Sequence, residues 1–258
     1  MQDETGNSGW NQLPGTVRFA LGIVALLAIF TFLALSIDIQ IVRALGRWPD
    51  EERAWFEALT RWGQSDWILY PTLALTVGAL LLGFAPLGYS WRWTVRAIGA
   101  VSWMIFVAVG LPGLIVQIAK RLIGRARPFL YDQQGSLSFH FLPPDWTLHS
   151  FPSGHSATAF ALAYVATRLT APLWGVLFYA WAALVALSRI TTGAHYPTDV
   201  IAGTLLGWFG AKLIVDRFER HGFPVAARNG TGTNPAGALI WRGLKRLVRS
   251  VRPQFRRP

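Results

Sequence analysis

The chain has 258 residues, of which 52% are hydrophobic and only 14% charged, against roughly a quarter charged in ordinary soluble domains. It contains no cysteine, which excludes disulfides, thiolate metal sites and thiol catalysis. The net charge of +11 gathers largely in the C-terminal tail, which favours anionic lipid over nucleic acid as its partner.

Residues 1–16 are polar with two early acids, Asp3 and Glu4. They read as a short disordered leader without the pattern of a cleavable signal. Residues 17–40 are apolar over the roughly 20 positions that a first membrane span needs. Asp50 then caps a helix in which Trp55, Phe56, Leu59 and Trp62 recur at helical spacing. It is expected to rest on the lipid headgroups, with a solvated hairpin as the competing reading.

The second span is expected at 67–88 and the third at 94–119, where Pro112-Gly113 should kink it. A polar segment, 120–151, carries Lys120, Arg121, Arg125 and Arg127. The fourth, fifth and sixth spans are expected from Ser153 to Arg168, over 173–189 and over 198–215. The expected fold is therefore all-α: an integral membrane bundle of six transmembrane helices over 17–215, with an interfacial helix after the first span.

Residues 216–258 form a basic tail. Ile240, Leu244, Leu247 and Val251 share one helical face, and Arg242, Lys245, Arg246, Arg249 and Arg252 fall mostly elsewhere. This is the pattern of a basic amphipathic helix on a membrane surface, nucleic-acid binding being the weaker alternative. The positive-inside rule puts the tail in the cytoplasm, and six spans put the N-terminus there too. The loops after spans one, three and five then face outward, as across a bacterial inner membrane. The basic loop after span three opposes the rule unless its arginines have another task.

Three polar clusters interrupt the apolar sequence. The first runs from Lys120 to Arg127-Pro128, the second is Pro152-Ser153-Gly154-His155, and the third runs from Ser188-Arg189 through His195 to Asp199. The span order brings all three to the outer ends of helices on one side. Ionisable groups at membrane depth are costly and are usually functional. Lys120, Arg127 and Arg189 form a cationic group suited to phosphate oxygens. Ser153 and Gly154 leave backbone N–H groups open at a positive helix end. His155 stands ready to protonate a departing oxygen. A carboxylate at Asp199 accepting the Nδ1 proton of His195 would leave Nε2 free to attack.

Together the clusters resemble the signature of the type 2 phosphatidic acid phosphatase (PAP2) and haloperoxidase superfamily: Lys, six residues, Arg-Pro; Pro-Ser-Gly-His; Ser-Arg, five residues, His, three residues, Asp. Every position matches, and the resemblance covers about residues 60–215. It implies Lys120, Arg127, Ser153, Gly154 and Arg189 as phosphate ligands, His155 as general acid, His195 as the nucleophile that becomes a phosphohistidine, and Asp199 as its orienter. It implies no metal and no cofactor. The expected activity is hydrolysis of a lipid phosphomonoester or diphosphate, with polyprenyl diphosphate first and phosphatidylglycerophosphate, phosphatidate and lipid A phosphate as alternatives. A phosphotransferase using the same intermediate, a vanadium-dependent oxidase and a non-catalytic lipid-binding protein are the competing classes. Arg121 and Arg125 lie outside the family pattern and are expected to hold a second phosphate or headgroup, or to face solvent. His140 and His149 read as surface residues near the mouth of the site. His221, in the tail, stands apart from it.

Overall fold

The computed structural model describes residues 13–45, 49–221, 242, 243 and 245. Most of the leader and of the amphipathic tail helix therefore lies outside the described residues. The first apolar run forms α1 (Gly15–Leu33), a π-helical segment (Ala34–Asp38) and α2 (Ile39–Leu45). They are followed by α3 (Asp50–Thr60), α4 (Asp66–Leu82), α5 (Tyr89–Ile123) and the short α6 (Tyr131–Gln134). The last three are α7 (Gly154–Leu169), α8 (Pro172–Thr191) and α9 (Pro197–Arg220). Among the described residues there is no strand, and β-pairing is confined to one bridge between Arg125 and Phe139.

The bundle turns its oil outward. α1 has no buried residue, and large apolar side chains such as Phe84, 89% exposed, cover the flanks. Among the described residues, five helical stretches are long and apolar enough to cross a membrane: 15–44, 53–82, 89–123, 172–191 and 197–220. The expected fourth span is α7, whose 16 residues extend about 24 Å at about 1.5 Å each, short of a hydrocarbon core of about 30 Å. It lies inside the protein, packed by α5, α8 and α9, so its length answers to its neighbours rather than to lipid.

Sequence explains that central place. α7 is rich in small residues, with Ala157, Ala159, Ala161, Ala163 and Ala166 all buried. Opposite them α9 presents Gly203-Thr-Leu-Leu-Gly207. A Cβ at Gly203 would overlap the backbone carbonyl of Ser153, and one at Gly207 that of Ala157. Small residues four apart let two helices approach this closely, which is the main source of attraction between helices in lipid. α5 remains one helix through Pro112, whose ring lies against Gly210 of α9. Below the site, Ile68, Met104, Val109, Tyr164, Val165 and Val215 close the apolar core shared by α4, α5, α7 and α9.

Candidate active site

Lys120 lies in the last turn of α5 and is buried. Gly124 ends that helix in the left-handed region (φ 60°), its N–H donating to the Lys120 carbonyl at 3.0 Å. No side chain fits there, because a Cβ would run into the His140 carbonyl. The chain then folds back on itself. Ala126 N–H donates to the Ser138 carbonyl at 3.0 Å, Arg127 N–H to that of Thr147 at 3.1 Å, and Ser150 N–H to that of Arg125 at 3.0 Å. These bonds fix Arg127, whose guanidinium lies 5.0 Å over the Trp146 ring.

Ser153 caps α7, its Oγ accepting from the Ser156 backbone at 3.4 Å and from Ser156 Oγ at 2.9 Å. Its own N–H donates to the Asp199 carbonyl at 2.9 Å, which ties the start of α7 to the first turn of α9. A Cβ at Gly154 would sit 3.8 Å from Lys120 Nζ, so the positive end of α7 faces the ammonium group. His155 packs against Gly63 and lies in the electrostatic reach of Lys120, Arg127, Arg189 and His195. Arg189, in the last turn of α8, donates to Thr60 Oγ1 of α3 at 2.6 Å. Its Nε is buried without a hydrogen-bond partner. α3 thus packs on α8 and supports a site cation, a contact its amphipathic spacing does not reveal.

His195 occupies the connection between α8 and α9 and is 1% exposed. Burial pushes its imidazole down to about 3, so it stays neutral at physiological pH and keeps a lone pair for attack. Its Nδ1 is 3.7 Å from Asp199 Oδ2, within ion-pair range but longer than a hydrogen bond. Asp199 also completes the cap of α9. Oδ2 accepts from the Tyr196 backbone at 2.9 Å and from Ser150 Oγ at 2.5 Å, while Oδ1 accepts from Arg125 at 2.5 Å. Lys120, Arg127, Ser153, Gly154, His155, Arg189, His195 and Asp199 all meet at this end of the bundle.

The expectation for Arg125 is corrected. It neither faces solvent nor reaches toward a second phosphate: it is 0% exposed and bonded to Asp199, Asp38, Thr198 and the Ser136 carbonyl. Two buried carboxylates outcompete any external anion for a guanidinium held this way. Arg121 faces outward. His140 bonds to Ser138 Oγ and Gln134, and His149 Nε2 to the Pro143 carbonyl, so both serve the loop. Sequence reasoning missed Asp38, Thr198, Ser150 and Thr60. For Asp38 the signal was present: an acid within the first apolar span.

A cavity of about 490 Å³ opens beside Lys120, Gly154 and His155 and continues along Leu69, Gly113 and Leu114, between α4, α5 and α7. Gln64, Ser65, Asp66, Gln117 and Thr158 line it together with the site residues, and Leu69, Val109 and Leu114 give it an apolar wall, a combination that suits a polar head on a hydrophobic tail. Among the described residues no group of three or more His, Asp or Glu side chains is placed to hold a metal ion.

Residues 101–222 match the family described as PAP2 superfamily. The lipid A 1-phosphatase of Rhizobium johnstonii is 38% identical over 172 residues, 64% of this chain and 68% of that protein. The lipid A 1-phosphatase of Rhizobium etli is 34% identical over 198 residues, 71% of this chain and 82% of that protein. The crystal structure of a transmembrane PAP2-type phosphatidylglycerolphosphate phosphatase from Bacillus subtilis superposes with a TM-score of 0.50 at 22% identity, over 76% of this chain and 96% of that one.

Proposed function

Because the chain belongs to the PAP2 superfamily and is a membrane lipid phosphatase of that family, we propose that it hydrolyses the 1-phosphate of lipid A through a phosphohistidine. Polyprenyl diphosphate, the first choice from sequence alone, yields that place because the two relatives reported above are lipid A 1-phosphatases. The observation that carries the mechanism is the meeting of Lys120, Arg127, Arg189 and the N-terminus of α7 around His155 and His195.

In this reading the cations and the Ser153–Gly154 backbone hold the phosphate and stabilise charge on its equatorial oxygens. His195 Nε2 attacks phosphorus, the bond to the lipid oxygen breaks, and His155 gives that oxygen a proton. Water then attacks the phosphohistidine, His155 takes a proton back, and the P–N bond breaks to free phosphate. The lipid enters with its head at Lys120 and its chain along the apolar cavity. The site faces the outer leaflet, α7, fourth in chain order, brings the crossings to six, and α3 lies at the headgroups.

Phosphate release by the detergent-purified protein tests this. The panel holds lipid A, undecaprenyl diphosphate, phosphatidylglycerophosphate and phosphatidate, each run beside His195→Ala. We expect release from lipid A, reduced in the variant by on the order of a thousandfold or more. Release from another lipid alone would replace the substrate, and transfer of phosphate only in the presence of an acceptor lipid would replace hydrolysis. Absence of phosphate chemistry on every lipid would overturn the proposal.

A further inference from the structure

Asp38 ends the π-helical segment of the first apolar run, far in sequence from the three polar clusters and outside the residues that match the family. It is fully buried. Its Oδ1 accepts from the Thr198 backbone at 3.0 Å, and its Oδ2 accepts from Thr198 Oγ1 at 2.5 Å and from Arg125 at 2.8 Å. Arg125 passes the contact on, donating to Thr198 Oγ1 at 2.7 Å and to Asp199 Oδ1 at 2.5 Å. The other donors of Arg125 go to the Ser136 carbonyl, and the Tyr196 ring lies 4.2 Å from its guanidinium carbon. The guanidinium is held on every side.

We propose that Asp38 and Arg125 are positioning residues for the reaction: Arg125, oriented by Asp38, fixes the Asp199 carboxylate beside His195. This rests on the phosphohistidine reading. The charge count explains why two acids are needed. Asp38, Arg125 and Asp199 together carry one net negative charge. Arg125 alone would neutralise Asp199 and leave no net negative charge on the Nδ1 side of His195 to offset the positive charge that its ring acquires when Nε2 bonds to phosphorus. With Asp38 engaging the same guanidinium, one negative charge remains at the His195 end. An amide at position 38 removes that charge. It also sets an N–H₂ group against the Arg125 N–H donors if its oxygen keeps the Thr198 backbone bond. The first helix is thereby part of the catalytic apparatus.

The test compares Asp38→Asn and Thr198→Val, the second being nearly isosteric and cutting the same link more gently. Each is made in the wild type and in an Asp199→Asn background, with exposed Arg121→Gln as control. Turnover is measured on the lipid that the wild type hydrolyses and normalised to the phosphoenzyme trapped by an alkaline detergent quench, in which the P–N bond survives. We expect kcat to fall by on the order of tenfold in both variants with KM held, the thermal midpoint in detergent falling in Asp38→Asn, which breaks a buried ion pair, but held in Thr198→Val, and little further loss of kcat in the Asp199→Asn background. Unchanged kcat per phosphorylatable site would overturn the inference, as would losses that multiply fully with Asp199→Asn. Wild-type turnover that is lost in His195→Ala yet undiminished in Asp38→Asn would overturn this inference alone. Absence of turnover in the wild type would overturn the functional reading together with it.

Discussion

At Gly154 a methyl group would meet only Val116 at 3.7 Å and Lys120 Nζ at 3.8 Å, which is ordinary contact. The fold therefore has no steric need for glycine there, in contrast to Gly124, where a Cβ collides with backbone. What the methyl group would occupy is the space beside the ammonium that a phosphate oxygen needs. Gly154→Ala is expected to keep the wild-type thermal midpoint in detergent while weakening inhibition by vanadate and raising KM about tenfold, the equivalent of about 1.4 kcal/mol. Equal vanadate inhibition in the two proteins would show that the anion does not sit against Gly154. The eight cluster residues were legible in sequence because three spaced motifs and the order of the spans together place them at one end of the bundle. Arg125 was not. Sequence counts it as one more cation, and its neutralising partner Asp38 is 87 positions away. No local pattern says that the two will meet.

Among the helices, α7 and α8 begin and end within two residues of expectation, whereas α4 stops at Leu82, six residues before the expected 88, and α9 runs to Arg220, five beyond the expected 215. The contacts between helices were harder to read. Gly203 and Gly207 stand in the sequence as a small-residue pair, but only the packed bundle shows that the start of α7 is their partner. The two positions differ in what they touch. Gly207 abuts the Ala157 backbone within α7, whereas Gly203 abuts Ser153, whose N–H bonds to Asp199. An added methyl at either site overpacks the interface, at a cost of about 1–3 kcal/mol. Both Gly203→Ala and Gly207→Ala should lower the thermal midpoint in detergent, with Gly78→Ala, where nothing lies within 4 Å, as the neutral reference. Only Gly203→Ala displaces the cap that presents Gly154 and His155, so it should also lose activity per folded molecule. Equal specific activity in the two variants would mean that α7 shifts as a rigid body and the cap is not strained.

For the whole molecule, the distribution of charge predicts which way the site faces. The basic loop after α5 runs against the positive-inside rule as counted from sequence, yet Arg125 is compensated by Asp38 and Asp199, and Arg127 turns into the group of cations that we propose as the phosphate site. Those residues therefore carry little weight in orienting the protein. The opposite end keeps Arg92, Arg96, Arg217 and Arg220 near its surface, and there Arg168 pairs with Glu219. That end should be cytoplasmic. α9 connects the two ends in 24 residues, about 36 Å of helix, longer than a hydrocarbon core of about 30 Å. Gln133 at the site end and His221 just beyond α9 are both exposed, and a membrane-crossing α9 predicts them on opposite faces. Because the chain has no cysteine, Gln133→Cys and His221→Cys can each be probed alone with a membrane-impermeant maleimide. Gln133→Cys should label in intact spheroplasts, and His221→Cys only after the membrane is opened. The reverse pattern would put the phosphate site on the cytoplasmic face and give it the inner-leaflet pool of lipid as substrate. Labelling of both in intact cells would mean that α9 does not cross the membrane.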